Sequence, residues 1–238
     1  MIFRQLFDTE TSTYSYLLGC ERTRSALLID PVATEVATYI ELLAELDLAL
    51  FYTLETHVHA DHITGAALLR DITGSKSVVH KDGGARCADL LVTHDMPMQV
   101  GDIDIHVLHT PGHTIGCVSY LIGDRVFTGD ALLIDGCGRT DFQQGDAGTL
   151  YDSIHRHLFT LPPETLVYPG HDYHQKCVST IGQEIAGNAR LGAARSRQDF
   201  IALMNGLNLP YPRLIGQALP ANQDCGKPPQ SYQGAASL

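Results

Sequence analysis

The sequence of this 238-residue chain lacks both a run of basic residues and a long apolar stretch. Its 16 Lys and Arg are outnumbered by 27 Asp and Glu, and the formal charge is −11 at pH 7. Without a basic cluster to follow a phosphate backbone, we expect no nucleic acid partner. Without a cationic N-terminus leading into an apolar core, or any segment of bilayer length, we expect no membrane partner and a cytoplasmic location.

Cysteine is present, but its spacing does not fit a zinc ribbon or a small disulfide scaffold. No C-x-x-C pair occurs among the six cysteines, which are Cys20, Cys87, Cys117, Cys137, Cys177 and Cys225. Apolar residues make up 44% of the chain, which is enough for a core that needs no such cross-links. We therefore expect buried, reduced thiols.

Strand and helix patterns alternate along two comparable halves of the chain. The runs SYLLG and SALLID predict a hairpin, and the helical spacing that begins at Val36 predicts a helix whose apolar stripe covers a sheet. Further strands are predicted at ALFYTLET, SVVH, IDIHVLHT, CVSYLI, RVFTGD and TLVYPG. Further helices are predicted at HITGAALLRDIT, near TLYDSIHRHLFTL, at about 177–191 and at 196–204. This order favours two sheets covered by helices.

The region after Leu207 is rich in proline, with Pro210, Pro212, Pro220, Pro228 and Pro229. It predicts an extended or disordered C-terminal segment. We expect residues 1–238 to form a single domain with helical and extended pieces at its C-terminal end.

Ligand-capable side chains recur where predicted strands end. The segment THVHADH contains His57, His59, Asp61 and His62, and His113, Asp130 and His171 follow in TPGHT, FTGD and YPGHDYH. A single such residue is more often a helix cap or a turn, but four loops of this kind in one α/β chain predict a common metal site. The other histidines (His80, His94, His106, His155 and His157) lack this context, and we expect them on the surface or in the core.

The order H-x-H-x-D-H, Gly-His, Gly-Asp and Gly-His resembles the metallo-β-lactamase superfamily over about residues 10–175. The resemblance implies an α/β fold, the αββα four-layer sandwich, with a metal in the cleft between the two sheet edges. Most members of that superfamily are hydrolases that hold two zinc ions.

Longer segments resemble one family more closely, namely the persulfide dioxygenases, also called sulfur dioxygenases. These segments are THVHADHITGAALLR, TPGHTIGCVSY, GCGRTDFQQGD, YPGHDYH and MNGLNLPYP. The resemblance implies an enzyme that oxidises glutathione persulfide with dioxygen and water, giving sulfite and glutathione on one non-haem iron(II) per subunit. A homodimer is possible, because dimers are common in that family.

The resemblance also assigns roles to residues. The metal ligands would be His57, His113 and Asp130, a facial triad that leaves open coordination positions. Four side chains would orient these ligands: His59, Asp61, His62 and His171. Arg139 would organise the site, and Arg139, Tyr173 and Arg190 would meet the substrate. Family members often have Asn-Pro-Arg where this chain has Asn-Ala-Arg, so an exposed helical cation is an equal alternative for Arg190.

Two other hypotheses remain open from the sequence. A glyoxalase II-like thioester hydrolase would use Asp61, His62 and His171 for a second zinc ion. The identity and order of the candidate ligands in the sequence do not exclude this enzyme. GCGRTDFQQGD and the short region after His171 count against this enzyme. A metal-binding protein without catalysis would leave the open coordination face unexplained.

Overall fold

Twelve strands and six α-helices form within the part of the chain that the computed structural model describes, residues 1–173, 176–192 and 194–227. The strands are β1 (Ile2–Asp8), β2 (Thr13–Gly19), β3 (Ser25–Ile29), β4 (Ala49–Leu54), β5 (Lys76–His80), β6 (Leu90–Val92), β7 (Pro97–Val100), β8 (Ile103–His109), β9 (Val118–Ile122), β10 (Arg125–Gly129), β11 (Leu166–Pro169) and β12 (Ser179–Thr180). The helices are α1 (Val36–Glu45), α2 (Ala66–Thr73), α3 (Ala147–Ser153), α4 (Ile181–Gly187), α5 (Arg197–Asn205) and α6 (Ile215–Asn222).

The strands are divided between two six-stranded mixed sheets. In the first sheet, β1 to β6 lie in chain order, antiparallel from β1 to β3 and parallel from β3 to β6. In the second sheet the order is β12-β11-β10-β9-β8-β7, and only the β10–β11 pair is parallel. The predicted hairpin is confirmed as β2 and β3, with Gly19 opposite Ala26.

Three apolar layers hold the fold together. The central layer lies between the sheets and contains large side chains of both, among them Tyr16, Leu27, Val107 and Phe127. One outer layer packs α1 and α2 on the first sheet, and the other packs α3 and α5 on the second. Alternating burial along β8, where Ile103, Ile105 and Val107 are inside, shows how strand periodicity generates this arrangement. The predicted αββα sandwich is confirmed.

The predicted helix at 177–191 is shorter than expected. Ser179 and Thr180 instead extend the second sheet as β12, beside β11. The helix α4 then starts with a capping box, in which the Thr180 hydroxyl accepts from the Gln183 amide and the Gln183 side chain accepts from the Thr180 amide. It ends before Asn188, so Arg190 lies in a turn and not on a helix.

The expected extended or disordered end after Leu207 is wrong in part, because α6 forms there. Ala218, Ala221 and Asn222 are buried in its packed face, although Pro220 lies inside the helix. Pro228 and Pro229 lie outside the described residues.

The expectation of buried, reduced thiols is confirmed for three cysteines and wrong for the other three. Cys87 and Cys225 form a disulfide across a sequence separation of 138, which spacing alone did not reveal. Cys20, Cys117 and Cys137 are buried free thiols, whereas Cys177 is exposed. No helix within the described ranges combines the length and the apolar character that crossing a bilayer requires.

Candidate metal centre

Four loops that follow β4, β8, β10 and β11 converge at one edge of the two sheets. They carry the candidate ligands that the sequence placed at strand ends. In this cluster, one ligand atom each from His57, His113 and Asp130 lies within 4.8 Å of the others. The fold therefore brings together residues that are up to 73 positions apart.

The backbone and a hydroxyl group orient the two imidazoles of this cluster. The Nδ1 of His113 donates to the carbonyl of Arg139 at 2.6 Å, which leaves its Nε2 3.6 Å from Oδ2 of Asp130. The Nδ1 of His57 lies 3.0 Å from the Thr56 hydroxyl, and that hydroxyl donates to Asp30 at 2.8 Å. Thr56 must then accept from His57, so the Nε2 lone pair of His57 is free. This is the tautomer that a metal ligand requires.

Burial keeps His57 neutral. Desolvation is the largest cause that holds its pKa well below the ordinary value, and the neighbouring His59 and His113 act in the same direction. A neutral imidazole with a free lone pair binds a cation without first losing a proton.

Unpartnered polar atoms show that the cluster fits a metal ion. Within the described residues, Oδ1 of Asp130, which belongs to the cluster, is buried without a hydrogen-bond partner, as are Nδ1 of His59 and Nε2 of His62 in the adjacent loop. Such atoms are costly in a folded protein unless something else satisfies them. A carboxylate and imidazoles that surround one point make a donor set for a divalent transition metal.

The remaining predicted residues bind mainly to one another. Oδ2 of Asp61 lies 3.2 Å from Nδ1 of His62 and 3.2 Å from Nε2 of His171. Burial alone would raise the pKa of Asp61, but His171 and His62 outweigh it and hold the pKa well below its usual range. Burial alone would lower the pKa of His171, yet Asp130 and Asp61 raise it. Asp61 is thus an ionised link between two imidazoles.

His59 points its Nε2 away from the cleft toward two carboxylates that sequence reasoning missed. Its Nε2 lies 3.1 Å from Oδ1 of Asp30 and 3.3 Å from Oε2 of Glu55, and all three residues are buried. Burial alone would lower the pKa of His59, but Asp30 and Glu55 raise it well above the ordinary value. The sequence feature that could have identified these two carboxylates is an acidic residue at the end of an apolar strand, Asp30 in SALLID and Glu55 in ALFYTLE.

Among the residues that the structure describes, three groups besides the first could hold a cation by the spacing of their ligand atoms. They are His59 with Asp61 and His62, Asp30 with Glu55 and His59, and His80 with Asp82 and His109. His80, expected on the surface or in the core, is buried and stacks on His109 with ring centres 4.0 Å apart.

A cleft of about 510 Å³ opens over the cluster. Its floor includes Asp61, His113, Asp130 and His171. Its walls include the three predicted substrate residues, Arg139, Tyr173 and Arg190, and residues that were not predicted, Phe142, Tyr211 and Arg213. Tyr173 is exposed, and its ring stacks at 6.0 Å from that of His171.

Arg139 holds the segment 209–211 beside this cleft through hydrogen bonds and a ring contact. Its Nε and Nη2 donate to the Asp141 carboxylate, each at 2.6 Å. Nη1 donates to the carbonyl of Pro210 at 2.6 Å, and the guanidinium lies over the rings of Phe142 and Tyr211, at 4.8 and 5.5 Å from their centres. Since its carbonyl also accepts from His113, Arg139 connects the metal cluster to the cleft wall.

Arg190 is partly buried and faces the cleft, so it is not an exposed helical cation. Its Nη1 donates to the carbonyl of Cys137 at 2.5 Å. Across residues 1–173, 176–192 and 194–227, no carboxylate forms an ion pair with it. Its charge is therefore available to an anion in the cleft.

Known proteins are similar to this chain in both sequence and fold. The family model of the metallo-beta-lactamase superfamily matches residues 8–171. Persulfide dioxygenase ETHE1, mitochondrial, from Mus musculus is 47% identical over 95% of this chain and 89% of its own length. The crystal structure of ETHE1 from Myxococcus xanthus superposes with a TM-score of 0.93 at 56% identity, covering 95% of this chain and 100% of that one.

A more distant relative has a different name. The probable polyketide biosynthesis zinc-dependent hydrolase BaeB of Bacillus velezensis is 34% identical over 69% of this chain and 75% of its own length. Identity and coverage both favour the dioxygenases over this hydrolase. The chain belongs to the persulfide dioxygenase family of the metallo-β-lactamase superfamily.

Proposed function

We propose that this protein oxidises glutathione persulfide with dioxygen and water to sulfite and glutathione, using one iron(II) per subunit. The observation that carries the proposal is the His57, His113 and Asp130 cluster, of which His113 and Asp130 line a cleft, in a chain 47% identical to a persulfide dioxygenase. Two imidazoles and one carboxylate form the donor set of non-haem iron(II) oxygenases. When bound, iron would supply the redox chemistry that joins oxygen to the outer persulfide sulfur.

A single metal is favoured by how Asp61 is used. A second ion would need Asp61, His62 and His171, but Oδ2 of Asp61 is shared by the other two at 3.2 Å each. These contacts instead keep His171 close to Asp130, with 3.6 Å between its Nε2 and Oδ1. We propose that Asp61, His62 and His171 orient Asp130, and that His59 anchors the loop through Asp30 and Glu55.

The substrate is an anion with two carboxylates, and the cleft supplies cationic partners on an otherwise acidic protein. Arg190 and Arg213 line the wall and form no ion pair with a carboxylate among the described residues, and the exposed Tyr173 lines the same cleft. We assign Arg190 and Tyr173 to glutathione binding. Arg139 is saturated by Asp141 and Pro210, so its contribution is to shape the wall.

Oxygen uptake tests the proposal directly. Protein purified without chelators should contain about one iron and little zinc per chain, and should consume oxygen with glutathione persulfide but not with glutathione alone. Chelation should abolish uptake, and anaerobic addition of iron(II), but not of zinc, should restore it. Sulfite should appear in step with the oxygen consumed.

The second candidate function is a dinuclear zinc thioester hydrolase of the glyoxalase II type. It is favoured by the group His59, Asp61 and His62, which lies within ligand distance beside the first cluster. Such an enzyme needs no oxygen and releases a carboxylic acid from lactoylglutathione. Two zinc ions per chain with thioester hydrolysis and no persulfide-dependent oxygen uptake would replace the dioxygenase proposal.

A single domain over residues 1–238, a cytoplasmic location and a possible homodimer belong to the same proposal. Size-exclusion chromatography with light scattering tests the dimer. Fractionation of the source cells tests the location, which the mitochondrial name of the mouse relative leaves undecided.

A further inference from the structure

Asn222, the last residue of α6, reaches the metal loop from the far end of the chain. Its Nδ2 donates to the carbonyls of His59 and His62, at 2.9 and 2.8 Å. Its Oδ1 accepts from the amide of Thr64 at 2.9 Å. Asn222 is only 4% exposed, so one planar amide makes three buried hydrogen bonds across about 160 residues of sequence.

The loop has few other anchors. In the part of the chain that the structure describes, no backbone–backbone hydrogen bond outside regular elements involves residues 57–62. Side chains hold it instead: Gln143 donates to the carbonyl of Val58 at 2.8 Å, and Asn222 donates to the carbonyls of His59 and His62. Those two belong to residues on either side of Asp61. The Asn222 amide therefore fixes the turn in which Asp61 and His62 project toward the site.

The end of α6 is itself held firmly, so that Asn222 acts from a fixed position. The carbonyl of Cys225 accepts from the Ala67 amide at 2.9 Å, and the carbonyl of Gln223 accepts from the Arg86 amide at 2.8 Å. The Arg86 side chain pairs with Asp224 at 3.0 Å, and the Cys87–Cys225 disulfide closes the same segment.

We propose that Asn222 is a positioning residue for the metal loop, and that its amide sets the backbone from which His57 reaches the ion and Asp61 and His62 reach their positions beside Asp130. The proposal rests on the metal site of the proposed function. The contact requires two donors and one acceptor on one short planar group, which Asn supplies. Asp is isosteric but would set an oxygen against both carbonyls, and Ala would leave three buried backbone groups unpaired.

The experiment compares Asn222→Ala and Asn222→Asp with the wild type and with Gln217→Ala, an exposed residue of the same helix. Each protein is loaded anaerobically with iron(II), and the rate of iron loss to a coloured chelator is measured. Hydrogen exchange of the peptide covering residues 56–66 is followed in metal-free protein, and thermal unfolding is recorded alongside.

We expect both Asn222 variants to lose iron at least about tenfold faster, the range seen when a group that orients metal ligands is removed. Exchange should increase in residues 56–66 and not in the second sheet, and turnover should fall more than the Michaelis constant for persulfide rises. Gln217→Ala should match the wild type in every measurement.

Wild-type rates of iron loss and wild-type exchange in residues 56–66 would overturn the proposal. So would exchange that rises equally in both sheets, because Asn222 would then serve only global folding. If the wild type itself holds no iron, the proposed function fails, and the exchange of residues 56–66 in metal-free protein still decides the role of Asn222.

Discussion

Single polar contacts decide which nitrogen of His57 and of His113 keeps a free lone pair. His113 gives its Nδ1 proton to a backbone carbonyl, and His57 gives its own to Thr56, so both retain a free Nε2. Asp30 supports the second arrangement, because it accepts from both the amide and the hydroxyl of Thr56, at 2.7 and 2.8 Å. Removal of a ligand should therefore differ in effect from removal of a residue that orients one.

His113→Ala should abolish both iron content and oxygen uptake, because it removes one of the three proposed ligands. His62→Ala should leave most of the iron bound and lower turnover, because Asp61 keeps its contact with His171. Iron per chain and oxygen uptake measure the two effects. Equal loss of iron in both variants would show that His62 is also a ligand.

Arg190→Ala should raise the Michaelis constant for glutathione persulfide about tenfold or more, with a smaller change in turnover. A free guanidinium that meets a substrate carboxylate contributes mainly to binding, at about 1.5–3 kcal/mol for a charge-assisted hydrogen bond. Steady-state oxygen uptake measures both constants. Arg156→Ala, an exposed arginine outside the cleft lining, is the control. A fall in turnover at an unchanged Michaelis constant would contradict the role.

At the scale of elements, the loop that carries His113 is packed directly on α3. Gly112 has φ +133°, and a Cβ at this position would lie 2.3 Å from the backbone of Leu150. Asp146, the N-cap of α3, donates its amide to the Gly112 carbonyl at 2.9 Å and accepts from the Thr149 amide at 2.6 Å. The helix start and the ligand loop are thus one unit.

Gly112→Ala should reduce iron content and lower the free energy of unfolding by more than about 2 kcal/mol, because the loop must move away from α3. Gly123→Ala is the matched control: φ is also positive, at +60°, but nothing lies within 4 Å of the added Cβ. This control variant should lower the free energy of unfolding by about 1 kcal/mol and leave the iron content unchanged. Urea unfolding and metal analysis give both quantities, and equal effects would mean that backbone strain alone is responsible.

At the scale of the whole molecule, the Cys87–Cys225 disulfide closes 138 residues of sequence and joins the C-terminal segment to the first sheet. A cross-link over so long a loop restricts the unfolded chain strongly. Cys225 is 2% exposed, whereas Cys87 is partly exposed.

The Cys87→Ser, Cys225→Ser double variant should lose about 2–5 kcal/mol of unfolding free energy. Urea denaturation without reductant measures the loss, and wild type unfolded with excess dithiothreitol should fall to the same value. Cys177→Ser, at an exposed free thiol, should behave as wild type. A double variant as stable as oxidised wild type would mean that the cross-link contributes nothing to stability.

The sequence by itself predicted the candidate ligand set and its positions at strand ends. Strand periodicity and the residues that follow each strand are local properties, so His57, His113, Asp130 and His171 were found from short segments. Apolar patterns of period 2 and 3.6 likewise predicted the two covered sheets. The family resemblance then supplied the reaction.

Only the tertiary structure decided how those residues work together. The free nitrogen of each imidazole, the saturation of Arg139 by Asp141 and Pro210, and the Cys87–Cys225 disulfide all depend on contacts between distant segments. Local rules misjudged the C-terminal segment for the same reason. Proline disfavours a helix locally, whereas the burial of Ala218 and Ala221 and the three hydrogen bonds of Asn222 are gained only when α6 meets the rest of the fold.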